Sequence, residues 1–252
     1  MRIYPLSEGN FSIDSTKVFK PFDTNISEVQ IRPPGSILVQ VQPFVVVTEQ
    51  DIILLDTGLG YCNNQGILQI HANLMSIGID PSSVTKVFLS HLHKDHSGGI
   101  SYIHPQHQDR FISFPYANYY IQKREYEMAL QSKSSSYISE QIQLLEDFSK
   151  VKWLTEDEGV IDDLIHYKIT GGHSLYHQVC WIKAQDETLF YGADVAPQLQ
   201  QMKSRFVAKY DLDGKMAMEW RQQWWEKGQK ENWLFAFYHD TKVPTYKHSE
   251  FL

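Results

Sequence analysis

Runs of apolar positions divide the chain into segments of two kinds. Residues 36–48 are rich in Val and Ile and read as extended chain. Residues 51–55 form a short apolar run that ends at Asp56-Thr57-Gly58, a turn signal, so the two runs are expected to pair as a hairpin across Glu49-Gln50. Residues 63–77 change period. Ile67, Ile70, Leu74 and Ile77 fall on one helical face, and Gly78 follows as a stop. Residues 86–90 read as a strand that runs straight into His91-Leu92-His93-Lys94-Asp95-His96.

The middle of the chain differs. Residues 116–120 are aromatic, and 122–131 and 136–150 have helical spacing. Strand-like runs return at 164–169, 179–183 and 189–191. A long helix is expected over 212–227 and a last strand over 233–237. Strands and helices thus alternate twice, which predicts an α/β layered fold of two similar halves. No repeat, low-complexity tract or linker divides the 252 residues, so a single domain over 1–252 is expected.

Composition narrows the chemistry. No apolar run approaches the ~20 residues of a membrane span. The N-terminus, Met1-Arg2-Ile3-Tyr4-Pro5, has no apolar signal core, so the expected compartment is the cytoplasm. A net charge of -7 disfavours a general nucleic-acid binder, which needs cations to displace counterions. The two cysteines, Cys62 and Cys180, are too few for a thiolate cage and read as plain thiols. Any bound metal is therefore held by nitrogen and oxygen.

The histidine segment supplies those atoms. On extended chain, His91 and His93 face the same side. Gly98 and Gly99 allow a tight return that brings Asp95 and His96 to the same pocket. A string of this kind arises by chance about once in a thousand such sequences, and three imidazoles with a carboxylate make a poor core. The donors suit a zinc-type cation, with iron and manganese as other candidates. Lys94 is expected to point away by strand alternation and is given no role.

The string HLHKDHSGG resembles the signature of the metallo-β-lactamase superfamily. Leu54-Leu55-Asp56-Thr57-Gly58, Gly172-His173-Ser174, Tyr191-Gly192-Ala193-Asp194 and Phe237-Tyr238-His239-Asp240 follow that family's further landmarks in order. The resemblance implies a four-layer αββα sandwich of two β-sheets flanked by helices, with a helical cover near 116–150. It implies two divalent metal ions, zinc before iron or manganese. His91, His93 and His173 would hold one; Asp95, His96 and His239 the other; Asp194 would bridge them. A metal-bridging hydroxide would then attack the scissile group. Asp95 would also act in catalysis by orienting water or carrying a proton. Asp56 and His177 would support the ligands; His177 stands where many relatives have a second Gly-His pair, although Tyr176 replaces that Gly. On its own residues, Asp56 reads as a turn aspartate. His71, His104, His107, His166 and His248 lack partners at useful spacing and read as surface or structural.

Spacing from His173 through Asp194 to His239 is similar to that of acyl-homoserine lactonases and related phosphotriester and ester hydrolases. The substrate would be a small, partly apolar molecule, with no nucleic-acid or membrane partner; a homo-oligomer is compatible with the sequence. One departure stands out. Lactonases carry Tyr three residues after the bridging Asp, and this chain has Pro197. Two alternatives remain open: an iron-containing redox or oxygen-handling protein on the same scaffold, and a thioesterase resembling glyoxalase II. The latter adds a C-terminal domain, whereas this chain ends 13 residues after His239. Tyr116, Tyr119, Tyr120, Trp220, Trp224 and Trp225 could line an apolar pocket; the stronger reading is that the tryptophans dock a helix on a core.

Overall fold

The structure is a computed structural model and describes residues 1–24, 31–103 and 109–251. Two six-stranded sheets face each other. The first runs, in spatial order, Arg2–Pro5, Phe44–Val47, Ile52–Leu55, Lys86–Phe88, Asn118–Gln122 and Val151–Leu154. The second runs Glu158–Ile161, Ile165–Ile169, Gln178–Ala184, Glu187–Tyr191, Leu234–Ala236 and Thr245–Lys247. Each half of the chain therefore builds one sheet, as the double alternation of strands and helices predicts.

Period-2 alternation explains the layers. Phe44 and Val46 point inward and meet Ile182, Leu189 and Tyr191 of the other sheet. Val45 between them points outward and joins Leu54, Val87, Ile70 and Leu74 under the helices of the first half. On the far side, Val179, Phe190 and Phe235 pack against Ala217 and Trp224 of the helix Gly214–Lys230. Strands buried on both faces read as continuous apolar runs. The result is the expected αββα sandwich, in which helices cover both outer faces.

Several elements depart from the sequence reading. The run 36–48 is two strands, Ile37–Val41 and Phe44–Val47, in different sheets. Pro43 lacks a donor, and Gln42 turns its Nε2 to Phe237 O at 3.1 Å. The pairing of Phe44–Val47 with Ile52–Leu55 is the expected hairpin. The helix expected over 63–77 is only Gln69–Ser76. Before it, Asn63 Oδ1 accepts from Gln65 N and Ile67 N, and Gly66 has φ +76°, which closes a turn instead.

The segment 116–150 opens with the strand Asn118–Gln122, set between two parallel neighbours, so its helical part begins at Lys123. The helix expected over 136–150 breaks into Ser139–Ile142 and a 3-10 turn, Gln143–Leu145. Just upstream, Ser132 and Ser134 hydroxyls accept from backbone N–H groups two residues on, which competes with helix. Among the described residues, no helix is long and apolar enough to cross a membrane.

Candidate metal centre

Five strand ends meet between the sheets. Asp56 follows Ile52–Leu55, His91 to His96 follow Lys86–Phe88, His173 follows Ile165–Ile169, Asp194 follows Glu187–Tyr191, and His239 follows Leu234–Ala236. Chain geometry at the first two is tight. Asp56 has φ +58°, a conformation that Asp tolerates better than most residues. Gly98 and Gly99 lie against this turn. A Cβ on Gly98 would stand 2.3 Å from Leu59 O, and one on Gly99 2.1 Å from Thr57 O. Gly98 itself has an ordinary helical φ of -58°, so close backbone approach, and not a special turn angle, explains that glycine.

The seven residues expected as ligands come together in two groups. His91, His93, His173 and Asp194 form one; Asp95, His96 and His239 form the other; within each group the ligand atoms all lie within 4.8 Å. Asp194 faces both. Its Oδ2 is 3.1 Å from His173 Nε2 and 3.8 Å from His91 Nε2. Its Oδ1 is 2.9 Å from His96 Nε2 and 3.0 Å from His239 Nε2. Asp95 Oδ2 is 3.4 Å from His239 Nε2 and 3.6 Å from His96 Nε2. His93 Nδ1 stands 3.1 Å from His173 Nε2, so this ring offers its other nitrogen.

These atoms fit cations. His91 Nε2, His96 Nε2 and Asp194 Oδ1 are buried and make no hydrogen bond, although two of them are 2.9 Å apart. Such groups cost free energy unless a partner takes their lone pairs. Donors converging without bonding each other match ligands aimed at a shared centre, and imidazole with carboxylate suits a zinc-type ion.

The opposite ring nitrogens are fixed one by one. His96 Nδ1 donates to Asp56 Oδ2 at 2.7 Å, and His173 Nδ1 to Asp211 Oδ1 at 2.9 Å. His239 Nδ1 donates to Gln40 O at 2.7 Å. His91 Nδ1 meets Ser90 Oγ at 3.0 Å, and Ser90 Oγ donates in turn to Asp56 Oδ2 at 2.7 Å. Each bond leaves Nε2 as a lone-pair donor, a tautomer assigned by the hydrogen-bond network. Asp56 also accepts from Ser90 N at 2.7 Å and from Tyr191 OH at 2.5 Å.

The electrostatics follow burial and neighbours. Burial, with the nearby imidazoles of His96 and His93, pushes the proton affinity of His91 well below the ordinary value. Burial and His173 do the same for His93. At His96, burial opposes charge, but Asp194, Asp95 and Asp56 together raise its pKa well above normal. Asp194 resists burial because His96, His239 and His173 surround it, so its carboxyl is held well below the usual range.

His177 is in neither group: its Nε2 accepts from Asp194 N at 3.3 Å, and its Nδ1 meets Thr170 Oγ1 at 3.2 Å. His71 binds Ser113 O at 2.9 Å, away from the site. His104 and His107 lie outside the described residues. Cys62 and Cys180 are both free thiols. Lys94 corrects its expectation. The chain turns into the short helix Lys94–Ser97, strand alternation ends, and Lys94 lines the cavity above the two His/Asp groups.

That cavity, of about 830 Å³, opens over His93, His173, Asp194 and His239. Its aromatic walls are Phe19, Tyr137, Phe206 and Tyr210. None of Tyr116, Tyr119, Tyr120, Trp220, Trp224 and Trp225 is among its lining residues; Trp224 is buried in the core beneath its helix, with Trp220 and Trp225 packed beside it. Two supporting carboxylates carried no sequence signal. Asp211 is one. Glu125, 1% exposed, is the other: Oε1 accepts from Leu92 N at 3.2 Å and Tyr137 OH at 3.3 Å, and Oε2 from Ser174 Oγ at 3.4 Å. It ties both histidine loops together.

Comparison with known proteins agrees with this geometry. Residues 37–227 match the family described as the Metallo-beta-lactamase superfamily. A probable metal-dependent hydrolase from Staphylococcus aureus has a similar structure, with a TM-score of 0.78 and 20% identity over 98% of this chain and 92% of that one. The structure of AidC, a dizinc quorum-quenching lactonase in complex with a product, superposes with a TM-score of 0.70 and 20% identity over 96% of this chain and 88% of that one. At such identities the likeness is one of fold. A shorter match, 41% identical over 58 residues, is to the N-acyl homoserine lactonase AttM of Azorhizobium caulinodans; it covers 23% of this chain and 18% of that relative's length.

Proposed function

Because the chain belongs to the metallo-beta-lactamase superfamily, we propose that it is a metal-dependent hydrolase that cleaves an ester, lactone or phosphotriester bond in a small, partly apolar molecule. One observation carries this reading. Asp194 presents one oxygen to each of two histidine groups at the floor of an open cavity. In this reading His91, His93 and His173 would hold one cation, Asp95, His96 and His239 would hold the other, and Asp194 would offer one oxygen to each. Two such cations, when bound, polarise the scissile carbonyl or phosphoryl group and make water nucleophilic at neutral pH. The dizinc centre of the AidC neighbour favours zinc.

The chain's own residues supply the rest. Asp95 lines the cavity, and in this reading it orients the attacking water and holds its proton. Asp56, Asp211, Ser90 and Gln40 O keep four imidazoles in one tautomer. His177 holds the backbone of Asp194. Met128, Ser134, Ser136 and Tyr137 form one wall, so the chain after Lys123 serves as a cover over the single domain. Pro197 also lines the cavity and offers no hydroxyl, so this chain lacks at that position the electrophilic help that lactonases draw from Tyr. Assay of the zinc-loaded protein on lactones, aryl esters, thioesters and phosphotriesters, before and after chelation, tests this. Chelator-sensitive turnover of an oxygen ester, lactone or phosphotriester is expected. Inactivity across the panel, or oxygen uptake by iron-loaded protein alone, would overturn it.

A further inference from the structure

The charged side chains that line the cavity are Asp95, Asp194, Asp211, Lys17, Arg32 and Lys94. All three carboxylates face histidines of the metal groups. The remaining charges are all positive, in a chain whose net charge is -7. Lys17 Nζ is held 2.8 Å from Ser136 Oγ and 3.1 Å from Ser134 Oγ, hydroxyls that orient an ammonium without neutralising it. Ser136 O also accepts from Lys94 N at 2.7 Å, so one short segment braces both lysines. Lys94 Nζ lies 5.9 Å from the Phe19 ring centroid, at the same wall. Among the described residues, no carboxylate is within ion-pair distance of Lys17 or Lys94. Arg32 also lines the cavity, its NH1 donating to Ser36 O at 3.2 Å.

Like charges held together repel, and a bound anion would offset that cost. A different stretch of the lining is apolar. Leu175, Phe206 and Leu212 are large side chains exposed into the opening. We infer that the substrate is an amphipathic ester or lactone that carries an anionic group, a carboxylate or a phosphate, bound by Lys17 and Lys94 while its apolar part lies against Phe206 and Leu212. The inference rests on the hydrolase reading above and names the substrate class for that same site.

Matched esters test it. The zinc-loaded protein is assayed on para-nitrophenyl hexanoate, on the mono-para-nitrophenyl ester of adipate, and on the para-nitrophenyl ester of omega-phosphohexanoate. A charge-assisted contact predicts an anionic-to-neutral ratio of kcat/KM of about tenfold, shrinking with added salt. Whichever anionic ester is preferred identifies the group. Lys17→Met and Lys94→Met should each reduce the ratio severalfold, and Lys17→Arg should retain it. A wild-type ratio near one, or a ratio unchanged in both Met variants, overturns the inference. If the wild type hydrolyses none of the three, calorimetry with adipate against hexanoate decides the cation site, and the hydrolase reading falls only if the lactone and phosphotriester panel is also inert. Tighter adipate binding that disappears in the Lys17→Met/Lys94→Met protein upholds the site; equal binding of the two acids overturns it.

Discussion

Asp56 Oδ2 accepts the Nδ1 proton of His96 at 2.7 Å, with both side chains fully buried. Asp56 is in neither candidate metal group, yet it fixes the tautomer of His96, which is in one. The same oxygen is reached by Ser90 Oγ, which meets His91 Nδ1, so one carboxylate orients a histidine in each group. Replacing Asp56 by Asn keeps the volume but brings an amide donor toward His96 and removes the charge. Loss of such an outer partner typically costs 10–100-fold in metal affinity or activity. Asp56→Asn should bind zinc about 10–100-fold more weakly, read by competition with a chromophoric chelator. Wild-type affinity would mean that Asp56 only shapes its turn.

Glu125 leads to a stability prediction. It is the partner of Leu92 N, inside the histidine segment, and of Ser174 Oγ, beside His173. Glu125→Ala leaves the buried Leu92 N–H without its acceptor and opens a void. An unsatisfied buried donor costs roughly 1–3 kcal/mol. In a domain of this size that lowers Tm by about 2–4 °C per kcal/mol. Glu125→Gln retains an acceptor oxygen and should lose less. Thermal unfolding of the two variants checks the order; equal Tm values for both would remove Glu125 from its role as a tie.

A half-buried glutamate sets a pH dependence. Glu8 Oε2 accepts from Leu59 N at 2.7 Å, whereas Oε1 is buried without a partner. Burial, with the nearby Asp95, pushes its pKa up from 4.5 to about 8, against the lowering effect of the Leu59 bond. A raised folded-state pKa means that the folded protein binds the proton more tightly than the unfolded chain. The associated stability is full below 4.5 and is lost as pH rises through about 8. Metal-free protein should therefore lose denaturant resistance from Glu8 across that window. Glu8→Gln should flatten this part of the profile. A wild-type profile with no fall between these values would show that the carboxyl ionises freely.

How much of this was legible in the sequence varies by residue for physical reasons. His91, His93, Asp95 and His96 lie together in the chain, so their density is itself a signal. His173, Asp194 and His239 lie far apart and were found through ordered resemblance alone. Asp211 and Glu125 act across the fold, from positions with no motif. Lys94 departs from the alternation its neighbours suggest because period-2 alternation stops where the short helix Lys94–Ser97 begins. The outer strands were weakest: Glu158–Ile161 alternates with little apolar content, and Lys20–Pro21 has only two residues. The long helix was clear, since Trp224 and Ala217 repeat at helical spacing and Asp213 caps it by accepting from Met216 N at 2.9 Å.

Asp194 gives the most discriminating test of two coupled metals. Its Oδ1 is within 3.0 Å of His96 and His239, and its Oδ2 3.1 Å from His173. In metal-free protein the histidines around it hold its carboxyl ionised. Asp194→Asn removes the charge that a pair of cations would share but leaves the six other candidate ligands in place. A ligand present at 1,000 times its dissociation constant stabilises a protein by about 4 kcal/mol. Wild-type protein should therefore gain several degrees in Tm on adding saturating zinc, and chelation should reverse the gain. Asp194→Asn should retain at most one tightly bound zinc per chain and show a smaller gain, with turnover reduced by about a thousandfold or more, because two-metal charge stabilisation is lost. Metal counting by atomic emission after gel filtration measures the stoichiometry. Two zinc ions retained at wild-type affinity would show that the two groups fill independently and that Asp194 is no bridge.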